Sequence, residues 1–172
     1  GESITGLEFN PVDGLLYALS TDAVQTTLLL IGIVALTATV IGITGMVLGI
    51  ALAATLTGQF FALDIDSDSI FSISLITGLA ILVGAIGFDA NFGQGMALSV
   101  IAGVILLAAF NNAVFDSELR IVDISTGLTT LIGIIIVGTL AQMAWISNPD
   151  TSLSVNENLN KLFNIYPNPA AD

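Results

Sequence analysis

Short apolar runs, each broken by glycine, threonine or aspartate, set the pattern of this chain. Residues 64–87, DIDSDSIFSISLITGLAILVGAIG, show it most clearly. Two runs rich in Ile and Leu flank the pair Thr77-Gly78, with an acidic stretch before them and Gly84 and Gly87 after. Such residues suit a pleated backbone and Thr-Gly suits a tight turn, so the segment predicts a strand–turn–strand unit. The unit returns as SELRIVDISTGLTTLIG at residues 117–133 and, less regularly, as TTLLLIGIVALTATVIG at residues 26–42.

Glycines mark the wider repeat. Gly6, Gly49 and Gly95 open three similar segments, and Gly42, Gly84 and Gly133 close them. Between these, Gly14, Gly58 and Gly103 recur at spacings of 44 and 45 residues. In the first copy the pattern predicts strands at residues 4–9, 15–19, 28–34 and 37–41. Pro11-Val12-Asp13-Gly14 forms the first turn, with Gly14 free to take a positive φ. Thr77-Gly78 and Thr126-Gly127 serve the outer hairpins of copies two and three. Copy one has Ala35-Leu36 there, which turns less readily and predicts a distorted or longer hairpin.

A period near 45 with four short strands per copy is the signature of a propeller blade. The copies are placed at residues 4–45, 46–92 and 93–139, with a fourth begun by LAQMAWIS at 140–147, where Met143 and Trp145 read as core. The expected fold is all-β: three four-stranded antiparallel propeller-like blades plus one extra strand, followed by an irregular tail. Closed propellers typically use at least four blades, so the expected array is partial or open. Blades stacked face to face also account for strands that are apolar almost throughout instead of alternating.

Composition sharpens this picture. Hydrophobic residues make up 55% of the 172 residues, and net charge is −12, with Arg120 and Lys161 the only cations. Residues 23–63 and 90–115 carry no charge, and each is long enough for a helix across a membrane. Recurrent Gly and Thr, with no flanking Lys or Arg, favour strands there instead. The dyad strands of about 10 residues and the aromatic girdles of an outer-membrane barrel are not visible. Membrane insertion is therefore the last of the readings. The acidic balance repels nucleic acid. The chain has no Cys and no His, which removes disulfides, thiolate metal sites and the usual general base. The opening GESITGLEFN has neither a charged n-region nor an apolar h-region, so any signal peptide is expected to be removed or to lie upstream.

Three places offer candidate chemistry. Asp64, Asp66 and Asp68 are spaced to gather oxygens around Ca²⁺, the only cofactor the sequence suggests. An EF-hand would need Gly and Glu where Ser69 and Leu75 stand, and the alternative is a loop whose Asp side chains cap backbone amides. Residues 88–95, FDANFGQG, offer aromatics and amides for a sugar or peptide, or else form an inter-blade connection. Asn111, Asn112, Asp116 and Glu118 suggest a similar loop in the next copy. With no His or Cys, a carboxylate pair drawn from Asp64, Asp89 and Asp116 would support glycoside hydrolysis, but no Arg or Tyr cluster accompanies it. The balance leans away from an enzyme.

The copies resemble a family of secreted bacterial proteins with a propeller-like domain of unknown function and the pattern ITGLDF-P-GxLYAL…LYxIDxxTGxxTxVG. The matching residues are Ile4-Thr5-Gly6-Leu7-Glu8-Phe9, Pro11, Gly14-Leu15-Leu16-Tyr17-Ala18-Leu19, Ser69-Ile70-Phe71-Ser72-Ile73 and Leu82-Val83-Gly84. The chain departs from that pattern at Ile31-Gly32-Ile33 and Ser74-Leu75-Ile76, where the family tends to be polar. Those departures point to a homo-oligomer built through apolar strand faces or edges. After a polar linker at 148–162, the segment FNIYPNPAAD at 163–172 resembles the opening of the C-terminal sorting domain of type IX secretion substrates, through Tyr166, Pro167, Asn168 and Pro169. That resemblance implies the secretion machinery as partner and a place at the surface of, or outside, a Bacteroidota-type cell. The function expected is a non-catalytic module for binding or scaffolding; the alternatives are a self-associating subunit of a fibre or surface layer and an integral membrane protein.

Overall fold

A computed structural model describes residues 1–137, which fold as twelve strands in three four-stranded antiparallel sheets. Blade one holds β1 (Ser3–Phe9), β2 (Leu16–Thr21), β3 (Thr26–Gly32) and β4 (Thr37–Ile43). Blade two holds β5 (Gly49–Ala54), β6 (Phe60–Asp64), β7 (Ser69–Ile73) and β8 (Ala80–Ala85). Blade three holds β9 (Ala90–Ser99), β10 (Val104–Asn111), β11 (Asp116–Val122) and β12 (Thr129–Val137). In each sheet the spatial order is the chain order. The first strands of successive blades lie side by side, β1 against β5 and β5 against β9. The result is an open propeller-like array of three blades. The expected extra strand at 140–147 lies outside the described residues.

Alternate residues of blade two serve two separate cores. Phe60 and Ala62 pack with Tyr17, Leu19 and Leu28 of blade one, and the Phe60 ring meets Tyr17 edge-on at 5.2 Å. Their neighbours Phe61 and Leu63 turn the other way, onto Met96, Leu98, Ile105 and Leu107 of blade three. Because blade two is covered on both faces, every residue of β5 and β6 is buried, and all but the terminal Asp64 of β6 are apolar or Gly. The uncharged residues 23–63 thus form strands or the turns between them. Among the described residues, no helix is long and apolar enough to cross a membrane.

The glycine landmarks fall at equivalent places. Gly14, Gly58 and Gly103 turn the first hairpin of each blade at φ +71°, +78° and +67°. In the outer strand pair, Gly42 faces Leu28, Gly84 faces Ile70 and Gly133 faces Leu119, each just after a bulged residue: Ile41, Val83 or Ile132. The blade-one outer hairpin corrects the expectation of a longer turn. Its loop occupies 33–36 between the paired Gly32 and Thr37, two residues fewer than 74–79 in blade two. The distortion is real, with Leu36 held at φ +52°.

Candidate functional site

The acidic stretch is structural. Asp64 ends β6 and is 3% exposed. Its Oδ1 accepts the amides of Leu48 and Asp66 at 3.0 Å, and its Oδ2 accepts that of Val47 at 3.3 Å. One side chain therefore fixes both its own turn and the connection from blade one. Asp68 accepts the Ala90 amide at 2.9 Å and so fixes the next connection. Burial, and then the charges of Asp89 and Asp64, push the Asp68 carboxyl above its ordinary range. Asp64, Asp66 and Asp68 are not gathered as a calcium site: among the described residues, no three His, Cys, Asp or Glu side chains are placed to hold a metal. Asp64 and Asp68 turn their oxygens to backbone amides.

The segment read as a binding loop at 88–95 is mostly strand. β9 begins at Ala90, and the irregularity lies inside it, opposite Ala108 and Phe110. Phe92 takes φ +64° there. Gln94 is buried, accepts the Phe110 amide at 3.0 Å and donates to the Asn91 carbonyl, so its amide fills the bulge instead of facing a ligand. Asp89 accepts Asn112 Nδ2 at 3.1 Å, which ties the blade connection to the β10–β11 turn. Asp116 and Glu118 stand on β11, not in a loop.

One constellation went unread in the sequence. Glu118, 4% exposed, receives Arg120 Nε at 2.6 Å and Asn111 Nδ2 at 3.3 Å on both oxygens. Arg120 also donates to Thr129 Oγ1 at 3.0 Å, and its guanidinium lies 4.1 Å from the Phe88 ring centroid. A buried carboxylate is tolerable only when paired and hydrogen-bonded, and this one is both. The signal was available: an Arg two residues after Glu, inside an apolar run. The cluster is a structural tie that locks β10, β11 and β12 together.

What remains open is apolar. The outer strands β4, β8 and β12 contain no Asp, Glu, Lys, Arg or Pro. They expose Val40 (65%), Ile81 (69%), Leu82 (59%) and Ile134 (53%). Blade one exposes Leu7 and Phe9 on β1, whose counterparts Leu52 and Ala54 on β5 are buried against blade one. The sorting motif Tyr166, Pro167, Asn168 and Pro169 lies outside the described residues.

No family model matches the chain, and no curated protein matches it. Solved structures do. One is the nidogen/laminin complex, at TM-score 0.60 and 14% identity over 77% of this chain and 48% of that one. A second is a protein of unknown function from Bacteroides thetaiotaomicron VPI-5482, at TM-score 0.60 and 10% identity over 73% and 32%. A third is TolB from Acinetobacter baumannii, at TM-score 0.51 and 13% identity over 76% and 32%. The chain thus spans from about a third to about half of the length of these structures, and what it shares with them is the fold of a β-propeller.

Proposed function

We propose that this chain is a non-catalytic β-repeat module that works by binding or scaffolding, with its outer edge strands as the contact surface. The observation that carries the reading is the make-up of those edges. A free edge strand presents unpaired amides and carbonyls, and proteins ordinarily guard it with charge, proline or cover. Here β4, β8 and β12 carry none of the charges or prolines and expose large apolar side chains. Such a surface suits addition of an extended strand, from a partner or from another copy. The same edges favour a second reading, a self-associating subunit of a fibre or surface layer. Of the carboxylates offered for glycoside hydrolysis, Asp64 accepts backbone amides, Asp89 accepts Asn112 and Asp116 stands on β11.

Light scattering after size exclusion tests the assignment. The native chain is expected to gain mass with concentration, and Val40→Lys with Ile81→Lys and Ile134→Lys, one on each outer strand, to hold it at the mass of one chain. If the lysine variant associates as the native chain does, the edges are not the contact. If the native chain stays at one-chain mass throughout, the fibre reading goes. We propose further that residues 163–172 direct export by a type IX-like route to the cell surface. In a host with that machinery, deleting them should leave the protein in the periplasm; surface display without them would refute the route.

A further inference from the structure

Each blade junction is closed by the same lock. The backbone of Thr77-Gly78, from the outer hairpin of blade two, lies directly on Gly42 of blade one. Thr126-Gly127 of blade three lies in the same way on Gly84 of blade two. The fit is mutual, because a Cβ on Gly78 would come within 2.8 Å of the Gly42 backbone and one on Gly127 would strike that of Gly84. Beside each lock the bulged residue, Ile41 or Val83, packs against the inter-blade core. The lock is completed by a carbonyl of the connecting segment: Thr44 O accepts the Ala80 amide at 2.9 Å, and Ile86 O accepts the Thr129 amide at 3.2 Å.

Blade three carries the receiving half of this lock. Gly133 sits at the same register, and Ile132 is the bulged residue. Among the described residues nothing lies within 4 Å of a Cβ on Gly133, and Ile132 and Leu131 are 52% and 48% exposed. Blade one lacks the inserting half. Its outer hairpin is two residues shorter, has Ala35-Leu36 in place of Thr-Gly, and leaves Val34 and Leu36 100% and 90% exposed. A second copy of the chain would therefore meet Gly133 with the wrong turn, since its two Thr-Gly turns are already engaged.

We propose that the Gly133 face of blade three is a docking surface for one more β-blade, whose outer hairpin is six residues long and carries Thr-Gly. This rests on the blade junctions and is independent of the edge-strand reading above. The test uses the full chain carrying Val40→Lys and Ile81→Lys, so that association through the β4 and β8 edges does not intrude; the β12 edge is common to every chain compared. Residues 33–36 are exchanged for DISTGL, the loop at 123–128, which gives blade one the inserting turn. This chain should associate head to tail, with mass rising with concentration in light scattering. A matched exchange for DISALL should stay at one-chain mass, and so should the DISTGL chain with Gly133→Val. Equal cooperative thermal melts of these variants, read by circular dichroism, establish that all are folded. The proposal falls if the DISTGL chain does not associate, or if DISALL or Gly133→Val leaves its association intact. It falls equally if the unexchanged chain already associates through Gly133, which makes a second copy the occupant. Association of the DISTGL chain only after removal of residues 138–172 would make that segment the occupant instead, and would also overturn it.

Discussion

Gly84→Ala is expected to cost about 2–4 kcal/mol, enough to unfold a domain of marginal stability. The added Cβ would overlap the Thr126 carbonyl oxygen and come within 3.0 Å of its carbon. Both partners are backbone, so no rotamer change relieves the collision. Blade three would have to withdraw, and the apolar contact of Phe61 and Leu63 with Ile105 and Leu107 would open with it. Gly42→Ala meets the Thr77 backbone in the same way and should behave alike. Gly133→Ala provides the control, because no described residue stands where its Cβ would go. Glycine inside a strand is itself destabilising by about 0.5–1 kcal/mol relative to Ala, so this third change should be neutral or slightly stabilising. Urea melts of the three variants decide the matter. If all three lose stability equally, glycine is required there by strand geometry and not by the neighbouring blade.

That contrast also shows how far the sequence could be read. Gly42, Gly84 and Gly133 were visible as recurring landmarks, and Thr77-Gly78 as a turn. Their spacing in the chain carries no sign that the turn of one copy rests on the glycine of the copy before it. Period gives the repeat, and a repeat of four apolar strands gives stacked sheets. The partner of each group is set by the stacking, which no local pattern encodes. Asp64, Asp66 and Asp68 make the point from the other side. Three carboxylates at alternate positions resemble a cation loop, but Asp64 sits at a buried strand end where the amides of Val47 and Leu48 arrive on the connection from blade one. Gln94 likewise looked like a loop amide and is the plug of a β-bulge, because its target, the Phe110 amide, lies on the next strand. Ala35-Leu36 was legible as an anomaly, though its sense was not. Among the described residues that hairpin rests on no glycine of another blade, and it is short and apolar.

Raising the pH from about 4.5 to about 7 should weaken the fold, and Glu8→Gln should lessen that loss. Glu8 lies on β1 where the equivalent strands place Ala53 and Ala97. Burial drives its carboxyl up from 4.5 to about 7, against the opposing pull of the Phe9 and Ala54 backbones. The folded state therefore holds the proton more tightly than the unfolded chain does. Its contribution is fully present below 4.5 and is lost as pH climbs through about 7, beyond which it is flat. With the carboxyl still partly open to water, the full linkage is discounted to about 1–2 kcal/mol. Glutamine keeps the shape and an accepting oxygen for the Phe9 amide, which Glu8 Oε1 takes at 3.0 Å, but it carries no charge to desolvate. The difference between the two melts isolates this one group from carboxyls that act in the opposite sense, such as Asp22 and Asp123, which amides and Ser125 hold below their ordinary range. The pH curves of the native chain and of E8Q should part above 4.5, with E8Q losing less stability than the native chain by about pH 8. Curves that run parallel across this interval would mean that Glu8 ionises as freely in the fold as in water.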